Sequence, residues 1–318
     1  MRKGITVALA ADDNYMPYMY VAADSIVRNL SAATSCEIVC LYLGEDIDNA
    51  NRYMDPLRSE VCSVRLMEVS SCMKWDFHVS RHITLATYSR LFLPLLLPDV
   101  EKVLYIDCDV VAVSDVSELF EIDMGDNYLA AVRDMSYDTA AEVRASSECG
   151  RFPNYVNAGV LLLNLAAIRK DGIETRFIEC AATGRMPMHD QSVLNICCAN
   201  RITLLPEPWN FCLHNWSRNP IILPEARERC RKMIENKSYK IIHYCSPRKP
   251  WLGNCPSPLA NVWWQYASLT PYYQELKKLR FSGIDWVAGM SKLIRNPRYI
   301  ESAWQWLVHS CLPNLFRR

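Results

Sequence analysis

The chain carries no net charge: 35 Lys and Arg are matched by 35 Asp and Glu. Bulk electrostatics therefore give no reason to expect nucleic acid as a partner. No apolar run reaches the roughly 20 residues needed to cross a bilayer, so the longest ones read as strands or core helices. Neither G-x-G-x-x-G nor a Walker A sequence is present, which removes the two common glycine-rich phosphate cradles. The fourteen cysteines include no C-x-x-C pair. Cys40, Cys180, Cys197 and Cys198 lie among apolar neighbours, where a thiol packs as a small hydrophobe. No secretory signal is legible either. Met1-Arg-Lys-Gly leads directly into Ile5-Thr-Val-Ala-Leu-Ala, too short for a signal core, and Asp12 and Asp13 follow at once. The expectation is a cytoplasmic protein with reduced thiols rather than a disulfide framework.

What is present is a large apolar fraction, half of 318 residues, enough for a sizeable core. No repeat, low-complexity stretch or Gly/Ser linker divides it. One domain is expected over residues 1–280, with a separate helical tail over 281–318. Charge sets the tail apart. From Leu276 onward, Lys277, Lys278, Arg280, Lys292, Arg295, Arg298, Arg317 and Arg318 face only Asp285 and Glu301. Trp286, Trp304 and Trp306 are interleaved with these charges. Basic plus aromatic is the composition of a helix lying on an anionic membrane, or of a basic helix packed on an acidic body.

The most informative stretch is Val103-Leu-Tyr-Ile-Asp-Cys-Asp-Val-Val111, an apolar run that meets two carboxylates, Asp107 and Asp109. In an extended segment residues i and i+2 share a side. Both acids are then expected to face one point where the strand leaves the core. Two like charges held that close need a cation between them, or one is neutralised. A divalent metal site and a simple acidic turn are both open at this point.

Elements alternate along the chain. Ile5–Ala11 reads as a strand, Asp12-Asp13-Asn14 breaks it, and apolar residues from Met16 to Leu30 recur at helical spacing. Strands are expected at Glu37–Gly44 and Ser63–Val69, with a short helix over Asn49–Leu57 between them. Ile83–Leu97 predicts an apolar helix that embeds Arg90 and ends at Pro94 and Pro98. Ser114 and Asp115 cap a short turn through Phe120. Tyr128–Val132 and Asn157–Asn164 read as strands, the first leading into Arg133 and Asp134, the second needing the small Gly159 near its start. Helices are predicted over Ile168–Thr183 and Asp190–Ala199, and a last buried strand over Tyr239–Tyr244 carries His243. This order predicts an α/β fold with a mostly parallel central sheet covered on both faces.

Acids and a histidine gather at strand ends: Asp12 and Asp13, Asp107 and Asp109, Asp134, His243. In open α/β sheets the ligand crevice lies outside the carboxyl ends of the strands. Asp107, Asp109 and His243 form a candidate metal triad. Two carboxylates and one imidazole, with positions left for a diphosphate, suit Mn2+ better than Zn2+ or Ca2+, with Mg2+ its substitute. The acidic first turn is a poor phosphate cradle, because its carboxylates compete for the same N–H groups. Asp12 and Asp13 either cap the helix or accept hydrogen bonds from a base or ribose. Arg90 either braces the metal-site acids or touches substrate. Asp190 and Gln191 open a helix, as a cap or as a carboxylate and a carboxamide offered to a sugar.

These residues also carry a resemblance. Ala10-Ala-Asp-Asp-Asn-Tyr15, Tyr88-Ser-Arg90, Val103-Leu-Tyr-Ile-Asp-Cys-Asp109, Asn157-Ala-Gly-Val-Leu-Leu-Leu-Asn-Leu165, Asp190-Gln191 and His243-Tyr-Cys-Ser-Pro-Arg-Lys-Pro-Trp251 occur in this order. Over residues 5–255 the chain resembles family 8 of the glycosyltransferases. Within that family it is similar to bacterial lipooligosaccharide α-1,4-galactosyltransferases, and more distantly to lipopolysaccharide core glucosyl- and galactosyltransferases and glycogenin. The resemblance implies a nucleotide-sugar-binding domain of the GT-A type in which Asp107, Asp109 and His243 hold Mn2+. By position, Ala10, Asp12, Asn14 and Tyr15 match contacts to uracil and ribose. Arg90, Asp134, Asn157, Gly159, Asp190 and Gln191 match donor-sugar and reaction-centre positions, and Cys108 and Ala158 fall at the donor within the same motifs. Ser246 and Lys249 match diphosphate contacts, and Cys245 and His82 are expected near the acceptor or the closing loops. Ser246 replaces a glycine the family often carries, which keeps the backbone N–H but not freedom at positive φ. Ser192 stands where the nearest relatives carry an acid.

The implied reaction moves a hexose, galactose first and glucose second, from a UDP-sugar to a saccharide or lipid-linked saccharide such as lipopolysaccharide or lipooligosaccharide. Its place is the inner face of a bacterial cytoplasmic membrane. Transfer is retaining. The metal and Lys249 stabilise charge on departing UDP, and Asp190 and Gln191 are the candidates to stabilise the developing cation at C1. Either Asp190 forms a covalent intermediate, or the acceptor attacks from the leaving-group face with a β-phosphate oxygen as base; the second is favoured. A non-catalytic nucleotide-sugar sensor and a metal-dependent phosphodiesterase are the alternatives from other classes.

Overall fold

The computed structural model describes residues 2–70, 85–134, 155–183, 186, 188–212, 224–245, 248–252, 255 and 257–282. His82, Ser246 and nearly all of the expected tail lie outside these residues. The chain opens with β1 (Lys3–Ala11), α1 (Met16–Asn29), β2 (Thr34–Tyr42), α2 (Ile47–Met54) and β3 (Cys62–Glu68). Then come the short helices α3 (Leu85–Tyr88) and α4 (Leu93–Leu96), β4 (Lys102–Ile106), β5 (Val110–Ala112), β6 (Leu129–Arg133) and β7 (Val156–Asn164). Helices α5 (Leu165–Lys170), α6 (Ile173–Ala182) and α7 (His189–Cys197) lead to β8 (Ile202–Leu205) and β9 (Phe211–Cys212). The remainder is α8 (Pro224–Glu235), β10 (Ile241–His243), α9 (Ala260–Ala267) and α10 (Tyr273–Ser282).

A seven-stranded sheet has the order β3-β2-β1-β4-β7-β6-β8. It is parallel except for β7, which runs antiparallel to both β4 and β6. The expected α/β domain with a mostly parallel sheet is therefore present. Period-two alternation fills both faces: Val7, Leu9 and Ala11 of β1 join one core cluster, Ala8 and Ala10 the other. Because β7 is reversed, its first residues lie at the same edge as the ends of β4 and β6. Asn157 thereby enters the crevice that the parallel strands open.

A second sheet of three short strands, β5-β10-β9, packs beside the first. Its core holds Phe211, Ile242, Tyr244, Trp251 and Trp263. The strand expected over Tyr239–Tyr244 lies here, shortened to Ile241–His243, and not in the large sheet.

Three expectations change. The helix over Ile83–Leu97 is broken: residues 89–92 form a 3-10 turn between α3 and α4, since Pro94 has no N–H to bond the Arg90 carbonyl. The helix over Ile168–Thr183 is two helices, split at Gly172, whose φ of 67° is left-handed. Asp107, Cys108 and Asp109 are a turn between β4 and β5, not the end of one extended strand. Strand β8 and helices α8 to α10 have no counterpart among the expected elements. Among the described residues no helix is long and apolar enough to cross a membrane.

Candidate active site

The Asp107-Cys108-Asp109 turn joins the two sheets. The Asp107 N–H donates to the Gly159 carbonyl of β7 at 2.9 Å, and the Asp109 carbonyl accepts from the Tyr244 N–H at 2.9 Å. On the small sheet His243 of β10 pairs with Val110 of β5, which sets the imidazole beside Asp109. His243 Nε2 lies 3.2 Å from Asp109 Oδ1 and 3.9 Å from Asp107 Oδ2. Ligand atoms of all three residues fall within 4.8 Å of one another. The expected triad is brought together, but by a turn between sheets rather than by alternation along one strand.

His243 Nδ1 is 2.9 Å from Asn210 Oδ1. An amide oxygen only accepts, so Nδ1 carries a proton and the lone pair of the neutral ring sits on Nε2, facing the acids. Asn210 is itself oriented, because its Nδ2 donates to Asn157 Oδ1 at 2.8 Å. Gly159 is the wall of this pocket. A Cβ there would collide with His243 Cε1 and lie 2.9 Å from Asp107 Oδ2, so only glycine lets the ring and the acid approach.

Charge is arranged in pairs. Lys249 Nζ donates to Asp109 Oδ2 and, at 2.9 Å, to the Tyr244 carbonyl. Burial alone would raise the Asp109 carboxyl, but Lys249 and His243 hold it well below the usual carboxylate range. Burial would lower His243, and the Asp109 carboxylate outweighs it, pushing the imidazole up to about 9. A cation in the pocket would replace that proton. Two carboxylate oxygens and one oriented imidazole are the donor set of a hard or borderline divalent ion, so these residues fit Mn2+ or Mg2+.

Arg90 projects from the 3-10 turn into the wall of the crevice and is buried. Its Nη2 donates to Asp107 Oδ1 at 2.8 Å, its Nη1 to the Ala158 carbonyl, and its Nε to the Thr87 carbonyl at 2.9 Å. The guanidinium also lies 4.3 Å from the Tyr105 ring centroid. Asp190 Oδ2 sits 3.0 Å from Arg90 Nε, as an ion pair without a hydrogen bond of its own. Burial raises the Asp190 carboxyl, Arg90 opposes and Asp107 adds, leaving it at about 7. The helix cap is Met188, not Asp190. His189 has φ 50°, a left-handed kink that turns the next two side chains inward. Gln191 Oε1 accepts from the Ala158 N–H at 3.0 Å, and its Nε2 donates to Asp134 Oδ2 at 3.0 Å. Ser192 is fully buried, bonded to the Tyr155 hydroxyl at 2.9 Å, and faces the core.

At the end of β1 the groups are more open. The helix cap is Tyr15, with no side-chain bond, so neither acid caps α1. Asp12 Oδ1 accepts from the Tyr15 N–H at 3.1 Å, and Asp13 is taken by the Tyr42 hydroxyl and the Glu45 N–H. Asn14 and Tyr15 are exposed. Burial raises the Tyr15 phenol, with Lys249 opposing and Asp109 adding, so this corner adjoins the Asp107–Asp109–His243 cluster. Cys108 Sγ closes the gap, donating to the Ala10 carbonyl at 3.1 Å. Asn210 is the functional residue that sequence reasoning misses. Its one signal is a polar residue between Trp209 and Phe211, both buried.

The sequence profile of glycosyl transferase family 8 matches residues 6–255. The chain belongs to glycosyltransferase family 8. It is similar to General stress protein A of Bacillus subtilis, 25% identical over 84% of this chain and 94% of that protein. It is also similar to the lipopolysaccharide 1,3-galactosyltransferase of Salmonella typhimurium, 26% identical over 65% of this chain and 59% of that protein. Among solved structures it is similar to galactosyltransferase LgtC in complex with donor and acceptor sugar analogs, with a TM-score of 0.66, 26% identity and coverage of 86% of this chain and 100% of that one. This family 8 glycosyltransferase thus has the GT-A type of fold, with its polar groups gathered at the carboxyl edge of the sheet.

Proposed function

We propose that this chain transfers a hexose with retention from a UDP-sugar, galactose first and glucose second, to a saccharide acceptor of the lipopolysaccharide or lipooligosaccharide kind, with Mn2+ as cation and Mg2+ as its substitute. One observation carries the reading: Asp107, Asp109 and His243 Nε2 converge beside a buried Arg90–Asp190 pair and a fixed Gln191 amide. The names of two relatives point the same way, one a lipopolysaccharide galactosyltransferase and one a galactosyltransferase with sugar analogs bound.

Bound to Asp107, Asp109 and His243, the cation supplies Lewis-acid stabilisation of the charge on the departing diphosphate. The other roles fall to the chain's own residues. Ala10, Asp12, Asn14 and Tyr15, closed by Cys108, hold uracil and ribose. Lys249, paired with Asp109, lies where its ammonium can also meet diphosphate oxygens, and Ser246 is assigned the same role by its place in the sequence motif. Asp134, Asn157, Ala158 and Gly159 shape the donor-sugar pocket, and Cys245 and His82 are assigned by sequence motif to the acceptor or the closing loops. Arg90 fixes Asp107 and Asp190 relative to each other. Gln191 presents its amide beneath the reacting carbon. Asp190 is buried against Arg90, a poor position for a nucleophile, which supports attack from the leaving-group face.

A panel of UDP-sugars with Mn2+, read as UDP release, tests the reading. The expected result is release with UDP-galactose above UDP-glucose and its loss on chelation. No release with any UDP-hexose, or full rate after chelation, overturns it. Steady-state transfer by Gln191→Ala and Asp190→Asn tests the reaction centre, and full activity in both removes these residues from it. The basic aromatic tail, residues 281–318, is proposed to place the enzyme on the inner face of the cytoplasmic membrane. Truncation near residue 282 is expected to abolish binding to anionic vesicles while UDP release persists.

A further inference from the structure

The side of His243 turned away from the acids carries a second cluster. β9 runs parallel to β10 with Cys212 paired to His243, and alternation puts Cys245, two residues on, on the His243 side of the chain. The two cysteine sulfurs and a His243 ring nitrogen lie within 4.8 Å of one another. Cys212 Sγ is 3.8 Å from His243 Nδ1 and 3.4 Å from Asn210 Oδ1, and the two thiols share a side-chain hydrogen bond. Cys212 is buried and Cys245 is partly exposed, so the cluster is reached from the Cys245 side. Two sulfurs, an imidazole nitrogen and an amide oxygen are the donors of a four-coordinate site for a borderline or soft cation, the opposite preference to the oxygen-rich pocket across the ring.

We propose that Cys212, Cys245 and His243 Nδ1 form a second metal site, specific for thiophilic divalent cations such as Zn2+, with Asn210 Oδ1 as the nearest further donor. Binding forms two sulfur–metal bonds and one nitrogen–metal bond. Both thiol protons and the Nδ1 proton of the imidazolium leave to solvent, and no electron is transferred. The hydrogen bond from His243 to Asn210 is lost at the same time, and the proton that the ring keeps is on Nε2, so no lone pair is left there for a cation at Asp107 and Asp109. Zn2+ is therefore an inhibitor of the reaction proposed above; this consequence alone rests on that reading, and the site itself does not.

Cobalt is the probe, because thiolate ligation gives Co2+ a near-ultraviolet sulfur-to-metal charge-transfer band that oxygen and nitrogen ligands do not. Full-length protein titrated with Co2+ alone is expected to develop the band at one equivalent and to lose it on addition of one equivalent of Zn2+. Cys212→Ser is expected to abolish the band and weaken Zn2+ binding by roughly 100-fold, whereas Asp109→Asn keeps both. Absence of the band in the parent protein, or a band unchanged in Cys212→Ser, overturns the proposal. So does Zn2+ binding that responds to Asp109→Asn but not to Cys212→Ser. Should a circular dichroism melt show Cys212→Ser unfolded, Cys245→Ser, changed on the exposed side, gives the same reading. An enzyme inactive toward every UDP-sugar leaves the band and its loss untouched, so the two proposals fail separately.

Discussion

At the β1 end of the crevice, polar groups are largely exposed and are held by their own turn and by the segment after β2; at the β4–β7–β10 end they are buried and held by one another. Asn14 and Tyr15 are exposed, and the turn beneath them is closed by Asp12 on the Tyr15 N–H and Asp13 on the Glu45 N–H. Arg90, Asn157, Asp190 and His243 are buried, and each is tied to groups from a different element. The difference lies in how damage spreads. In the exposed turn water replaces a lost partner, and one hydrogen bond is worth about 1 kcal/mol. In the buried half, removing one member strands a charge or a dipole, at a cost of about 3–5 kcal/mol for a buried ion pair. A crevice built this way can tolerate adjustment around a base and ribose while fixing the groups around the scissile bond.

The largest effect is expected where the buried half meets the cation. Asp109→Asn removes the carboxylate that Lys249 and His243 both face, and UDP release should fall on the order of 1,000-fold or more. A loss smaller than about tenfold would mean that the triad does not hold the cation. Gly159→Ala comes next and removes no polar group. Its methyl would meet His243 and Asp107 well inside contact distance, so the ring or the acid must move. Displacement of about 1 Å is worth roughly 100-fold in rate, and overpacking costs about 1–3 kcal/mol of stability. Steady-state kinetics with a thermal melt on the same variant separates the two. Wild-type kinetics would show that the pocket is looser than its spacing indicates.

Sequence alone separates these halves only in part, for reasons that sit in particular residues. Strands β1, β4 and β6 are legible because apolar runs stop at charged residues. The direction of β7 is not, since a strand buried on both faces has the same composition whichever way it runs. Of the small sheet only β10 is legible, as the buried strand that carries His243; β5 and β9 are three and two residues long, too short for alternation to register. The pairing of Asp107 with Asp109 reads as strand geometry and is turn geometry. The convergence survives that difference because the turn spans two sheets that both face the crevice. Asn210 is illegible because its role depends on His243 and Asn157, both distant in the chain. The continuous helix over Ile83–Leu97 fails because Pro94 interrupts the helical path early rather than ending it.

Asn210 gives the third test, and it sharpens the comparison by acting at one remove. Asn210→Ala takes away the acceptor for His243 Nδ1 and one of the donors to Asn157 Oδ1, which keeps the Gly159 N–H, while touching none of the three groups that face the Mn2+ position. Partners of this kind are worth about 10- to 100-fold in metal affinity. The expected result is a Mn2+ dissociation constant raised by that factor, by calorimetry, with much of the rate recovered at saturating Mn2+. An unchanged constant would show that the imidazole needs no outside orientation.

The smallest effect is expected at the open end, and it is the one that can break the comparison. Tyr15 lies edge-on to Tyr18 and Trp251, with ring centroids 5.6 Å and 6.4 Å away. Tyr15→Phe keeps the ring, its packing and the backbone N–H that Asp12 accepts. Only the hydroxyl goes, from a residue that is 36% exposed. Stability should stay within about 0.5 kcal/mol of the parent, and one solvent-replaceable hydrogen bond bounds the change in KM for the UDP-sugar at about fivefold. The rate at saturation should not move, because the groups that fix the scissile bond are anchored elsewhere. Turnover slowed by about two orders of magnitude at saturating donor, with KM unchanged, would be a loss of transition-state binding alone. The Tyr15 hydroxyl would then act on the diphosphate through Lys249 and Asp109, whose charges it already feels. In that case the two ends of the crevice are one buried network, and the tolerance assigned to the β1 end has no physical basis.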